Sequence, residues 1–117
     1  MGELRITVPI LKVLQALLAT GLDEGLYGLE LTNLTGLKSG TLYPVLARLE
    51  RAEWVISAWE EVDPREAGRP RRRYYKLSGA GQRAGAAELS NLAPLPYSPG
   101  QPRPTTPKAS RPVWGQA

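Results

Sequence analysis

The sequence predicts a mainly α-helical domain carrying one small β-hairpin, an α+β arrangement followed by a proline-rich tail. Three observations predict it. Apolar residues recur at helical spacing between positions 6 and 53. The period then changes to short runs rich in β-branched and aromatic residues, joined by a basic loop. From Pro94 onward seven of 24 residues are proline and none is acidic, so that stretch has little to bury and is expected to be disordered. The division expected is therefore a folded unit over 1–93 and a tail over 94–117.

The first helix is expected over Ile6–Thr20. Ile10, Val13, Leu14, Leu17 and Leu18 follow the i, i+3, i+4, i+7, i+8 pattern, Pro9 suits an opening turn, and Gly21 ends the helix. Leu11 and Val8 widen the apolar arc to about 220°. Two readings of so broad an arc stay open: a central, deeply buried helix, or one with a second face against another subunit. A short second helix is expected over Leu26–Asn33, anchored by Leu26, Leu29, Leu31 and Leu34.

The stretch Ser39–Glu53 is the most informative. With Leu42 at zero, Leu46 and Leu49 fall within about 40° of it and Val45 about 60° to one side, a stripe that seats the helix on a core. The other side carries Gly40, Thr41, Tyr43, Pro44, Ala47, Arg48 and Arg51, and no large aliphatic residue. Ser39 is placed as the N-cap, and Pro44 early enough to be tolerated. Two helices joined by a short glycine-containing turn, the second with a polar and basic outer face, form a helix-turn-helix pattern.

Trp54–Val62 reads as a strand, Asp63–Pro70 as a loop, and Arg71–Leu77 as a second strand. Alternation in the second strand puts Arg73, Tyr75 and Leu77 on one face and Arg72, Tyr74 and Lys76 on the other. Arginines at a hairpin tip cannot be buried unpaired and suit phosphates or a minor groove. The hairpin after the helix-turn-helix is a wing. Gly79–Ala93 reads as a last helix capped by Ser78, weakened at Gly81 and Gly85 by up to about 1 kcal/mol each relative to alanine.

Charge supports this reading by its placement. The net charge is +4, but 1–93 hold 12 basic and 11 acidic residues, while 94–117 hold Arg103, Lys108 and Arg111 and no acid. Between Asp63 and Arg83 seven basic residues face only Asp63 and Glu66, a segregated patch suited to a polyanion. The chain has no cysteine and no histidine, which removes disulfides, thiolate metal sites, most zinc ligand sets and the commonest general base. Glu60 and Glu61 are adjacent on a strand and point to opposite faces, so they do not form a catalytic pair. Neither an enzyme nor a cofactor or metal is expected. No run spans a bilayer and no signal peptide is evident, so a cytoplasmic protein is the default.

The motifs YGLEL (Tyr27–Leu31), TGLKSGTLYPVLARLE (Thr35–Glu50), Trp59 and GRPRRRYYKLSGAG (Gly68–Gly81) together resemble the PadR family of winged helix-turn-helix transcriptional regulators, over roughly Ile6–Glu88. The resemblance implies a homodimer that binds double-stranded DNA at inverted-repeat operators, usually as a repressor. It implies DNA contacts from Ser39, Thr41, Tyr43 and Pro44 on the recognition helix and from Arg69, Arg71, Arg72 and Arg73 on the wing; Arg48 and Arg51 are placed to clamp backbone. Dimerisation in the family uses N- and C-terminal helices, here pointing to Val8, Leu11, Leu18, Leu89 and Leu92. The C-terminal helix is short for the family, which leaves a ligand cavity, and with it a small-molecule effector, open. Trp54 and Trp59 are read as core packing rather than as the lining of such a pocket, and Tyr74 and Tyr75 as strand packing. A second reading makes the chain a protein-interaction adaptor using the winged helix and the PxxP-spaced tail. Trp114 has no evident role in either.

Overall fold

A computed structural model describes residues 4–91 and 114. The expected tail, apart from Trp114, and the expected dimerisation residue Leu92 lie outside the described residues. Those described form five helices and a three-stranded antiparallel sheet, in the order α1 (Val8–Thr20), β1 (Leu26–Tyr27), α2 (Gly28–Thr35), α3 (Ser39–Arg51), β2 (Val55–Trp59), α4 (Pro64–Ala67), β3 (Arg73–Leu77) and α5 (Gly79–Ser90). The sheet order is β1-β3-β2.

Helix α1 is central. Ile10, Val13, Leu14 and Leu17 have no solvent-accessible surface, because α2, α3, α5 and β3 all pack on it. The Thr7 hydroxyl accepts from the Ile10 N–H and Pro9 lies in the first turn, as the sequence signals indicate. Leu42, Val45, Leu46 and Leu49 of α3 join the same core, with Leu26, Leu31, Val55, Tyr75 and Leu77.

Several boundaries differ from the sequence reading, each for a physical reason. Leu26 and Tyr27 open no helix; they pair with Tyr75 and Tyr74 of β3. With α2 starting at Gly28, Leu29 falls about 200° from Leu31, and it is 57% exposed rather than an anchor. The buried Glu30 turns back so that its Oε1 accepts from the Tyr27 N–H at 3.1 Å, which places a carboxylate at the helix N-terminus, where the dipole favours it. Lys38 rather than Ser39 is the N-cap of α3 and makes no side-chain cap bond; its carbonyl accepts from Thr41 and Leu42. Pro44 lies beyond the first turn, where it removes one helical hydrogen bond. The helix ends at Arg51 in a Schellman turn: Glu53 has φ 67°, the Trp54 N–H reaches the Leu49 carbonyl at 2.9 Å, and the Glu53 N–H reaches that of Glu50 at 3.0 Å.

Helix α5 explains its glycines. A Cβ at Gly81 would overlap the Trp54 carbonyl, and one at Gly85 would sit 3.4 Å from a Leu14 methyl and 3.5 Å from one of Leu18. These residues weaken the isolated helix, as the sequence indicates, but they let its backbone press directly onto α1 and the turn at Trp54 that follows α3. Part of the broad apolar arc of α1 is therefore covered by α5 of the same chain, and Leu11 is buried within it.

Two substitutions separate propensity from packing. Gly81→Ala is expected to lower unfolding stability by about 1–3 kcal/mol through overpacking against Trp54, although propensity alone makes it stabilising. Gly79→Ala, whose Cβ would meet only the Arg83 side chain at 3.6 Å, is expected to be neutral or slightly stabilising. Urea unfolding of both variants decides the sign.

Candidate nucleic-acid interface

Two surfaces built by neighbouring elements carry the candidate contacts. The first is the outer side of α3. Because Leu42, Val45, Leu46 and Leu49 are fixed in the core, the rest of the turn must face out, and Ser39, Gly40, Thr41, Tyr43, Pro44, Ala47, Arg48 and Arg51 are all exposed. The Tyr43 phenol leans over Gly28 at the start of α2, where a Cβ would collide with its hydroxyl. The YG pair at 27–28 thus seats Tyr43 against the preceding helix while leaving it 47% exposed. Arg48 and Arg51 lie in the last turn of α3. They line an open groove with Arg5, Ile6 and Trp54.

The second surface is the wing. Strands β2 and β3 pair from Val55↔Leu77 to Trp59↔Arg73, so Val55, Ser57 and Trp59 share a face with Leu77, Tyr75 and Arg73. Toward α3 this face is core; toward the tip it is open. Burial raises the Tyr75 phenol above its ordinary value, with Arg73 opposing the shift, so the ring is neutral and packs as part of the strand. On the other face Tyr27 and Tyr74 tilt together, ring centroids 5.4 Å apart.

Each wing arginine is held by a specific partner. Arg72 lies over the Tyr27 ring at 4.4 Å and Arg73 over the Trp59 ring at 5.1 Å. Arg73 also donates to the Ser57 hydroxyl at 2.7 Å, and that hydroxyl donates to Glu50 Oε2 of α3 at 2.6 Å. This chain ties the wing to α3. Arg71 donates from Nε to the Val62 carbonyl at 2.8 Å and is exposed. Trp59, read from sequence as core, is 54% exposed and serves as the platform for Arg73.

Arg69 is different. Its Nη1 and Nη2 donate to Glu60 Oε1 and Oε2 at 2.7 and 2.9 Å, and Glu60 is buried. The same carboxylate accepts from the Arg72 backbone N–H at 2.9 Å, while the Glu60 N–H donates to the Arg72 carbonyl at 2.8 Å. The bidentate hydrogen bond to Glu60 raises the Arg69 guanidinium above its ordinary value and keeps it charged. The expectation that the tip arginines serve phosphates or a minor groove meets a second role at this position: Arg69 neutralises a buried acid. The loop itself is partly helical. Asp63 Oδ1 accepts from the Arg65 N–H at 2.9 Å, Pro64 opens the turn, and Gly68 closes it in the left-handed conformation. Those Asp-Pro and glycine signals were available in the sequence.

The remaining candidates are for self-association. Val8 is 55% exposed, whereas Leu18 and Leu89 are half-buried against the core. Among the described residues there is no group of His, Cys, Asp or Glu arranged to hold a metal ion, and no helix long and apolar enough to cross a membrane.

A helix-turn-helix followed by a two-stranded basic wing defines a winged-helix DNA-binding protein. The family model described as the transcriptional regulator PadR-like family matches residues 17–87, more than half of the chain. The chain belongs to that family and is a DNA-binding transcriptional regulator, not an enzyme. Solved structures agree. A PadR-like transcription factor from Bacteroides fragilis is 25% identical with a TM-score of 0.56, over 70% of this chain and 77% of that one. The PcaV transcriptional regulator from Streptomyces coelicolor, solved with its natural ligand, is 26% identical with a TM-score of 0.53, over 75% of this chain and 64% of that one. The smu.1704 protein of Streptococcus mutans shares the fold at 23% identity and a TM-score of 0.55, over 77% of this chain and 82% of that one. No curated protein matches the chain.

The wing lock makes a prediction. Arg69→Ala leaves a buried carboxylate without its cation, so it is expected to lower the unfolding temperature more than Arg71→Ala, which removes one exposed side chain. Glu60→Gln, which retains an acceptor for the Arg72 N–H, is expected to fall between them. Equal melting curves for the Arg69 and Arg71 variants would remove Glu60–Arg69 as the organising contact of the wing.

Proposed function

We propose that the chain represses transcription by occupying an inverted-repeat operator as a homodimer, with residues 1–93 as the DNA-binding unit. The observation that carries this reading is the pairing of an outward polar face on α3 with a wing on which Arg72 and Arg73 are pre-set on aromatic rings and Arg71 is held by the Val62 carbonyl. A guanidinium stacked on a ring keeps its outer N–H groups for phosphate and loses little freedom on binding. On this reading Ser39, Thr41, Tyr43 and Pro44 enter the major groove, where Thr41 and Tyr43 meet base edges or the adjacent phosphates. Arg71, Arg72 and Arg73 follow the backbone or minor groove beside it. Arg69 acts through the wing's shape rather than by touching DNA. Arg48 and Arg51 are the more distant backbone clamps. Half-sites are expected about one helical turn apart, near 10 bp.

Dimerisation is proposed through Val8 and the outer edges of α1 and α5, including Leu18 and Leu89. A small-molecule effector is proposed by likeness to the ligand-bound regulator, and the groove between Trp54, Ile6 and Arg51 offers it both apolar and cationic contacts.

Electrophoretic or fluorescence binding to a selected operator at several salt concentrations tests the reading. Arg71→Ala is expected to weaken cognate and random duplex alike and to flatten the log–log salt slope by about one. Thr41→Ala or Tyr43→Ala is expected to cost the cognate site more than random DNA. A wild-type chain that binds no duplex at low salt would overturn the proposal in favour of the adaptor reading. Light scattering should give twice the chain mass, and Val8→Asp should shift it toward the monomer.

A further inference from the structure

Trp114 packs on the folded body, at a site that neither the core nor the DNA-facing surfaces use. Its indole Nε1 donates to the Glu24 carbonyl at 2.9 Å. Lys76 Nζ stands 4.8 Å from the ring centroid, and the same ammonium donates to the Asp23 carbonyl at 3.4 Å. Gly25, at φ 79°, forms the floor: a Cβ there would come within 2.9 Å of Trp114 Cζ2 and 2.8 Å of the Tyr75 carbonyl. Each element answers a different property of an indole. The carbonyl takes the N–H, the glycine admits the ring edge, and the cation faces the π system. A phenyl ring would leave the carbonyl without its donor, and an aliphatic side chain would forgo the cation as well.

We propose that the Asp23–Gly25 turn with Lys76 is an indole receptor whose occupant is this chain's own Trp114. Tethering raises the effective concentration of the indole to the order of millimolar, so a contact too weak to form between separate molecules is populated within one. A protein that grips the C-terminal end by its tryptophan must first displace it from the receptor. The contact therefore sets the availability of Trp114 itself.

Amide and indole resonances of the ¹⁵N-labelled full chain test this. In the wild type, Gly25 should carry a ring-current shift and the Trp114 indole N–H should exchange slowly with water. Trp114→Ala should abolish the Gly25 shift while leaving Thr41 and Tyr43 of the recognition helix unmoved. Lys76→Gln should reduce it. A Gly25 resonance identical in wild type and Trp114→Ala would overturn the proposal. So would recovery of the wild-type shift when labelled Trp114→Ala is mixed with unlabelled wild type, because the indole would then come from a second copy.

Discussion

The constraint on which the rest depends is that α1 must be covered on nearly every side. Its apolar arc is too wide for one helical partner, and the chain meets the demand with three helices and a strand at once. Burial of each large aliphatic side chain in such a core contributes about 1.5–3 kcal/mol, which is enough to override local preferences elsewhere. It fixes Leu42, Val45, Leu46 and Leu49 inward and thereby forces Thr41 and Tyr43 outward. It also selects glycine at 81 and 85, where closeness to α1 and to the Trp54 carbonyl outweighs helix propensity. The orientation of the outward polar face of α3 is thus a consequence of packing on the opposite side of the same helix.

The wing depends on a different interaction. A hairpin extending beyond the core has little apolar surface to hold it, and here a buried carboxylate does that work. Glu60 gathers the Arg69 guanidinium and the Arg72 backbone, and so fixes where the chain re-enters β3. Arg72 and Arg73 then leave on opposite faces, each meeting an aromatic ring contributed by another strand. The basic segment thus divides its labour: one arginine holds the hairpin and the others present charge. Glu50 and Ser57 carry that order across to α3, so helix and wing hold a defined mutual placement.

Much of this was legible beforehand. The seated and exposed faces of α3 follow from its 3.6-residue period, and the observed burial pattern repeats the expected one residue for residue. The strand faces of 72–77 follow from the period of two, and Ser78 caps α5 through its hydroxyl as read. The family was visible in contiguous motifs, since those motifs are the local geometry itself: YG seats Tyr43, and Asp-Pro with Gly68 shapes the wing tip.

What the sequence determined by itself were properties set by neighbours along the chain: periodicity, capping, charge segregation, and the absence of cysteine and histidine. Tertiary structure alone decided the contacts between segments far apart in sequence. Leu26 and Tyr27 look helical until β3 is there to pair with them. Glu60 looks like a surface acid until Arg69 folds across it, and Trp59 looks like core until Arg73 lies on it. Trp114 looks aimless until the Asp23–Gly25 turn, some ninety residues earlier, receives its indole. In each case the partner that decides the environment comes from another part of the chain and is brought near only when α1 is buried and the sheet closes.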